Sequence, residues 1–445
     1  MASIFPFRAL RYNPAQVNNE DVVTQPYDKI SPAMQQKYYD KSPYNLVRVI
    51  LGKSEPGDDD SNNVYTRAAA DLAAWRKKGV LKEETDPAVY AYSQTYKIPG
   101  SEEIRERRGF IALGQLYDYA EQVIYRHEQT LSKPKSDRLN LFKATRAYCE
   151  QIYLLYSDPE FAADKLLFSK DAPEVEVTDE YGVIHRLWKI TDAKTITKLC
   201  ASMDDKKLII ADGHHRYETS VAYAKERAAE LGKEMTPPTP AKGKLPEPAF
   251  PEAAMMMTFV NMDAPGITIL PTHRVVFGLN NFHPSEFLGR ATRFFTVKKL
   301  QASDAPTLMA ALAEATQPKL VSMIAATREG NYILTGKKAE VNSALADISK
   351  LQRQLDVVQL HSLILEEILG LSQESVREQK NLRYLRDAQE ALDQIARHDA
   401  DIAFLINPCT LEQLKEVAFA LDVMPQKSTD FYPKLLSGLA IYALD

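Results

Sequence analysis

The chain has few cysteines, no long apolar run and no surplus of basic charge, and each shortage removes a class of function. Its three cysteines, Cys149, Cys200 and Cys409, lie about fifty or more residues apart in 445 and form no CxxC pair. Neither a zinc knuckle nor a disulfide scaffold is therefore expected, and three buried thiols in a reducing compartment are. The longest apolar runs, such as Ala253–Met257, fall far short of the ~20 residues that span a bilayer. The opening MASIFPFRALRYNP has no basic region followed by an apolar stretch, so no secretory signal is expected, and the reading is cytoplasmic with no membrane partner. Lysine and arginine number 55 against 60 acids, a formal net charge of −5, and proteins that live on nucleic-acid phosphates usually carry a basic excess. No nucleic-acid partner is expected. No HExxH spacing and no internal repeat occurs.

What is present is a globular composition, 45% hydrophobic and 26% charged, in a chain long enough for two or three domains. Strand patterns are read at LVRVILG (Leu46–Gly52), Ala88–Ile98, GFIALGQL, QIYLLYSD and around Val183–Ile190. Ala88–Ile98 and GFIALGQL flank a charged turn and predict a hairpin. A helix is predicted over Val64–Lys78 after DDDSNN. KKLIIADG reads as a buried strand, and Tyr217–Gly232 as a helix closed by a glycine. Lys233–Glu252 holds six of the 25 prolines and reads as an exposed insertion. Further strands are AAMMMTFVNM and ITILPTHRVVFG. From Pro284 the pattern turns to helices with short strands, including the long stretch Asn342–Leu371, then IAFLINP and a helix over Leu411–Ala420. The alternation indicates a mixed α/β (α+β) protein. The expected division is residues 1–282, with the proline-rich insertion 233–252, and a C-terminal α/β domain over 283–445.

One constellation concentrates anion-binding groups. In LIIADGHHRYETS a strand runs into Asp212-Gly213 and a helix follows at once. Gly213 permits a sharp turn, and the first helical turn leaves amide N–H groups unpaired for an anion. His214, His215 and Arg216 add side-chain donors. The plain alternative has the histidines satisfied at a helix start and Arg216 paired with a carboxylate. The motif resembles the Gly-x-x-Arg phosphate turn of the ParB-type nucleotide-binding fold, sulfiredoxins and free-serine kinases, the last sharing the Asp-Gly-His-His-Arg wording.

Other segments offer related chemistry. Tyr125–Ala147 gathers Arg126, His127, Lys133, Lys135, Arg138, Lys143 and Arg146 with the acids Glu128 and Asp137, and reads either as a phosphate loop or as a solvated basic face. Ser132-Lys-Pro-Lys is expected to delay the helix until about Asp137. Thr272–Arg274 places a His-Arg pair at a strand end. Lys427, Ser428 and Thr429 between two prolines, with Lys434 after the second, look like a binding loop. TQPYDKIS (Thr24–Ser31) carries Asp28, a base or no more than a cap. Taken together, PFRALRYNP, QPYDKIS, RHEQTLSKPKSDR, IADGHHRYET, ILPTHR and MPQKSTDFYPK identify the chain as a member of the domain-of-unknown-function family one-zero-one-five. That implies a ParB/sulfiredoxin-like nucleotide-binding core with a second α/β domain.

The leading expectation is a kinase, a phosphotransferase acting on a small hydroxyl compound, with free serine the best single guess, ATP or ADP the donor and Mg2+ bridging the phosphates. Gly213, His214, His215 and Arg216 would cradle the phosphates, Lys133, Lys135 and Arg138 would add charge, and Lys427, Ser428 and Thr429 would complete the nucleotide site. His215 would take part in catalysis, with Asp28 or Glu128 accepting the hydroxyl proton. No protein metal site is expected. A hydrolase of phosphate esters or nucleotides would use the same groups with water. A nucleotide-binding regulator would bind without turnover, as a homodimer.

Overall fold

The computed structural model describes residues 2–128, 132–168 and 171–445; the side chains of residues 132–134 also lie outside the description. The chain forms two compact units. The first comprises Met1–Arg126, Thr130–Thr268 and Pro433–Asp445, and the second His127–Gln129 and Ile269–Tyr432. The division thus falls at 268/269 rather than 282/283, and the last stretch of chain returns to the first unit. Strand formation explains the earlier break, because Thr272–Arg274 leads into a strand of the second sheet.

The first unit is built on a nine-stranded mixed sheet. Its strands are β1 (Ile4–Phe5), β2 (Val89–Lys97), β3 (Ile104–Gln115), β4 (Ile124–Tyr125), β5 (Ile152–Tyr156), β6 (Val175–Thr178), β7 (Ile184–Ile190), β8 (Leu208–Asp212) and β9 (Ala254–Asn261). They run in the order β4-β8-β5-β9-β3-β2-β7-β6, with β1 beside the end of β3. β2 and β3 form the predicted antiparallel hairpin, Tyr90 opposite Ile111. β9 is buried along its whole length, as its unbroken apolar run requires of a strand covered on both faces. Helix α1 (Val64–Lys77) starts at an Asn63–Thr66 capping box and buries Leu72 and Trp75.

Several local expectations are corrected. Leu46–Gly52 is not a strand: Val47–Ile50 is a short helix whose first amide is held by the Asn45 side chain at 3.0 Å. A short apolar run does not separate strand from buried helix. Helix α2 spans Ser132–Thr145, so Pro134 does not delay it. It sits in the first turn, where proline removes no intrahelical hydrogen bond. Of the cysteines only Cys149 is buried, and Cys200 and Cys409 are half-buried.

After β8, helix α3 (His214–Leu231) ends at Gly232 in the left-handed conformation. Residues 233–250 carry no helix or strand and are largely exposed. The second unit has a six-stranded antiparallel sheet: β10 (His273–Val276), β11 (Thr296–Leu300), β12 (Leu320–Thr327), β13 (Gly330–Lys337), β14 (Leu382–Leu385) and β15 (Ile402–Ile406), ordered β11-β13-β12-β15-β10-β14. Helices α4 (Ala305–Ala315) and α5 (Ala388–Ala396) bury Leu308, Leu312, Ala391 and Ile395 in its core. Asn342–Leu371 is not one helix but short pieces ending in a π-helix, Leu360–Ile368. Among the described residues no helix is long and apolar enough to cross a membrane.

Candidate functional site: the strand–turn–helix of the first unit

The register of β8 against β5 shifts between Ile210 and Asp212, immediately before the turn. Such a bulge re-aims the side chain that follows it. Gly213 then adopts φ 97° and, as the residue at the start of α3, brings no side chain to cap it. A Cβ at Gly213 would stand 3.1 Å from Ile152 Cδ1 and 3.2 Å from Arg216 Nη2. The positive φ favours glycine, and a methyl there would also press on both neighbours.

Arg216 lies beneath that turn, its side chain 5% exposed. Its Nη1 donates to the Gln151 carbonyl at 2.6 Å, and its Nη2 to Asp212 Oδ2 at 3.0 Å. Glu150 Oε1 stands 3.9 Å away. Lys434 Nζ reaches the other Asp212 oxygen at 3.1 Å. Burial works to raise the Asp212 carboxyl, but Lys434, Arg216 and Lys29 outweigh it and hold the group well below the usual carboxylate range. Burial likewise acts to lower Arg216, and Glu150, Asp212 and Asp28 reverse that, leaving it more firmly charged. Arg216 is thus paired with carboxylates, the plain alternative of its sequence reading, and its guanidinium anchors the turn.

Glu150 joins this web to two other motifs. Its Oε1 accepts the Tyr27 amide at 3.0 Å, and its Oε2 lies 3.4 Å from Arg138 Nη1. Arg138, nearly buried, also donates to the Ile50 carbonyl, pairs with Asp137 and stacks over the Tyr27 ring at 4.0 Å. Like Arg216, it is committed to carboxylates rather than offered as a phosphate ligand. The segment Thr24–Ser31 is held there by reciprocal backbone bonds between Thr24 and Ser437. Asp28 sits in the short 3-10 turn Tyr27–Lys29 and is exposed. Its charge reaches Arg216, yet no described residue hydrogen-bonds its carboxylate.

Lys434 arrives on the returning C-terminal stretch. Arg107 donates to the Pro433 carbonyl at 2.6 Å, and Gln94 to that of Lys434 at 2.8 Å. Further along α3, Glu218 gathers Lys135 and, at 3.7 Å, Arg126. Lys135 of α2 and Arg126 after β4 thus stand against the second turn of α3, where His215 is half-buried and His214 buried. The Lys133 side chain, and Gln129 to Leu131 of the same motif, lie outside the described residues.

The remaining predicted residues belong to the second unit. Glu128 Oε1 accepts the Ser428 amide at 3.1 Å and lies 3.5 Å from the Thr429 hydroxyl, which bonds His127 Nε2 at 2.8 Å. Lys427 stands in the left-handed region at φ 57°, its carbonyl accepting from Arg274 Nη2 at 3.1 Å. Glu128 is therefore a loop anchor within that unit. Sequence reading missed Glu150, Lys434 as the Asp212 partner, and Asp212 itself as an acceptor. A carboxylate three to four residues before a buried arginine was the available signal for Asp212; Glu150 carries none.

Fold and site together define a mixed α/β protein in which a strand, a left-handed Gly213 turn and a helix start are held by Arg216, with Asp28 within electrostatic reach of it. The chain belongs to the family described as a protein of unknown function (DUF1015), whose signature matches residues 4–358. Among solved structures it is similar to a free serine kinase in complex with AMP, at 12% identity and TM-score 0.32, covering 69% of this chain and 83% of that one. It is also similar to a conserved hypothetical protein from Pyrococcus furiosus (11%, TM-score 0.32, 70% and 89%) and to SbnI with a C-terminal truncation from Staphylococcus aureus (12%, TM-score 0.34, 74% and 85%). No residue role, ligand or reaction passes to this chain from likenesses this remote. A comparison with curated proteins found no match.

Proposed function

We propose that the first unit binds a nucleotide by its phosphates at the start of α3 and transfers a phosphoryl group to a small hydroxyl compound, free serine being the first to test. The observation that carries this reading is the position of Asp28, an exposed carboxylate that no described residue hydrogen-bonds, within electrostatic reach of Arg216 under the Gly213 turn from which α3 starts. Amide N–H groups of an α-helix start suit phosphate oxygens, and phosphoryl transfer needs positioning and charge neutralisation more than covalent help. His215, Lys135 and Arg126 supply further positive or donor groups at that end.

In the transfer, the acceptor oxygen attacks the terminal phosphorus as the bridging P–O bond to the nucleotide breaks. The hydroxyl proton goes to Asp28, and the leaving nucleotide keeps the bridging oxygen and its charge. Asp212 is the poorer base, because Lys434 and Arg216 occupy its two oxygens and weaken its hold on a proton. Among the described residues no cluster of three or more candidate ligands forms a cage for a metal. A Mg2+ ion would enter on the nucleotide phosphates with few protein ligands and would neutralise their charge.

The test is phosphorus NMR of purified protein with Mg2+ and ATP or ADP plus L-serine and related hydroxyl compounds. A new phosphomonoester that vanishes in Asp28→Asn, with nucleotide binding retained, is expected. Free phosphate alone would replace the kinase by a hydrolase, and binding without turnover would replace it by a regulator.

A further inference from the structure

The second unit holds a cavity of about 360 Å³ that the phosphoryl-transfer reading does not use. That is the lower end of the size range of small-molecule sites. Its walls mix apolar side chains, Val358, Val423 and Met424, with His361, Ser362 and Tyr384. His361 and Ser362 come from the π-helix, an element that recurs at functional sites because it displaces a turn from regular packing.

Two of these lining residues touch one buried cation. Arg274 on β10 is 0% exposed and faces Tyr384 across the strand pair, its guanidinium 5.2 Å from the ring centre. Its remaining partners are the carbonyls of Thr272 and Lys427 and, at 3.4 Å, His361 Nε2. Among the described residues no carboxylate lies within ion-pair distance of it, and Glu128 acts only at longer range. Burial lowers Arg274 to about 10, so it stays charged at neutral pH. An interior cation without a counter-ion is costly.

The hydrogen bond fixes the state of His361. A guanidinium only donates, so Nε2 must accept, and the ring proton sits on Nδ1. Burial and the Arg274 charge both push the imidazole well below its usual value, which keeps it neutral. His361 is 6% exposed, and no described residue accepts from its Nδ1. The result is a fixed N–H donor backed by an uncompensated cation, in the wall of a cavity with hydroxyls beside it.

We propose that this cavity binds a small organic carboxylate, with one carboxylate oxygen on His361 Nδ1–H, its charge answering Arg274 and its hydrocarbon part against Val358, Val423 and Met424. Glu366, Glu374 and Arg377 also line the cavity, and two acids against one arginine weigh more on a dianion such as phosphate than on a monoanion.

Calorimetric titration of the full chain with isovalerate tests this, with isovaleramide and inorganic phosphate as controls. Saturable binding of isovalerate, at least about tenfold tighter than either control, is expected. His361→Phe should abolish it, and His361→Asn, which keeps a donor near the Nδ1 position, should retain it. If His361→Phe does not fold, Val423→Trp fills the cavity and must abolish binding instead. Isovalerate binding no tighter than the amide, or binding that survives both His361→Phe and Val423→Trp, overturns the proposal. Tighter binding of phosphate than of isovalerate overturns the assignment to a carboxylate.

Discussion

Arg216 in the first unit and Arg274 in the second are both withdrawn from solvent, yet their surroundings are opposite. Arg216 is set among Asp212, Glu150 and a carbonyl, so its charge is cancelled where it stands and is held more firmly than usual. Arg274 is set among two carbonyls, a neutral imidazole and an aromatic face, and its hold on the proton is loosened. A cation already matched by carboxylates organises backbone and gives little to a ligand. An unmatched cation keeps a field that a ligand can answer. The arginine of the sequence motif is therefore the anchor, and the less conspicuous one at a strand end is the better candidate for recognising a charge.

The largest expected effect separates the two directly. Arg216→Met removes the cation that Asp212 and Glu150 share, leaving Asp212 on Lys434 and Glu150 on Arg138, so the cost is expected near the lower end of that for breaking a buried pair, about 3 kcal/mol. Arg274→Met removes hydrogen bonds to neutral acceptors and relieves an unpaired charge, for a net cost of about 1 kcal/mol. Urea unfolding of both variants checks the order. Equal losses would mean that Arg274 has a carboxylate partner in solution and would break the contrast.

Acid should affect the two units in different ranges. His273 beside Arg274 accepts the Ile406 amide through Nδ1 and is lowered to about 4, first by burial and then by the Arg274 charge. The unfolded chain takes up this proton near pH 6.5 and the folded one only near 4, so stability falls as pH drops between those values. The shift corresponds to roughly 3 kcal/mol at about 1.4 kcal/mol per unit. Asp212 has the opposite origin: its lowered carboxyl contributes stability that is fully present above about pH 4 and is lost only below it. Unfolding followed at pH 7, 5.5 and 4.5 should show the second unit weakening first. The effect should be blunted in His273→Gln. No change between pH 7 and 4.5 would refute the buried neutral histidine.

Gly213→Ala probes the anchor from the backbone side. Alanine at φ 97° is strained, and its methyl would press on the Arg216 guanidinium and Ile152. A loss of about 1–3 kcal/mol is expected, with nucleotide binding weakened as the helix start shifts. A neutral result would show that the turn relaxes without Arg216.

The sequence made the strand–turn–helix legible because three local signals agree there: an apolar strand, a glycine that only a left-handed turn requires, and a helical pattern closed by Gly232. The β2–β3 hairpin was legible for the same reason. What failed was non-local. Glu150 has no pattern of its own, and only β5 against β8 brings it to Arg216. Lys434 was seen as part of a loop near Lys427, whereas Pro433–Asp445 returns to the first unit and puts it on Asp212. Leu46–Gly52 failed because a seven-residue apolar run is too short to fix its period. The π-helix at Leu360–Ile368 has no sequence signature at all, since its extra residue per turn is imposed by packing.

Lys135 gives the smallest effect on the fold and tests the other side of the contrast. It pairs with Glu218 near the start of α3, and its side chain is 35% exposed. An ion pair so open to water contributes at most about 0.5 kcal/mol, because solvent and salt screen it. Lys135→Ala should therefore leave the urea midpoint nearly unchanged. If the cations beside α3 serve ligand phosphates, the same change should weaken nucleotide affinity several-fold, and the loss should shrink at high salt. A structural loss comparable to that of Arg216→Met would make Lys135 a second anchor. Full affinity in the variant would confine phosphate binding to the backbone amides and the histidines.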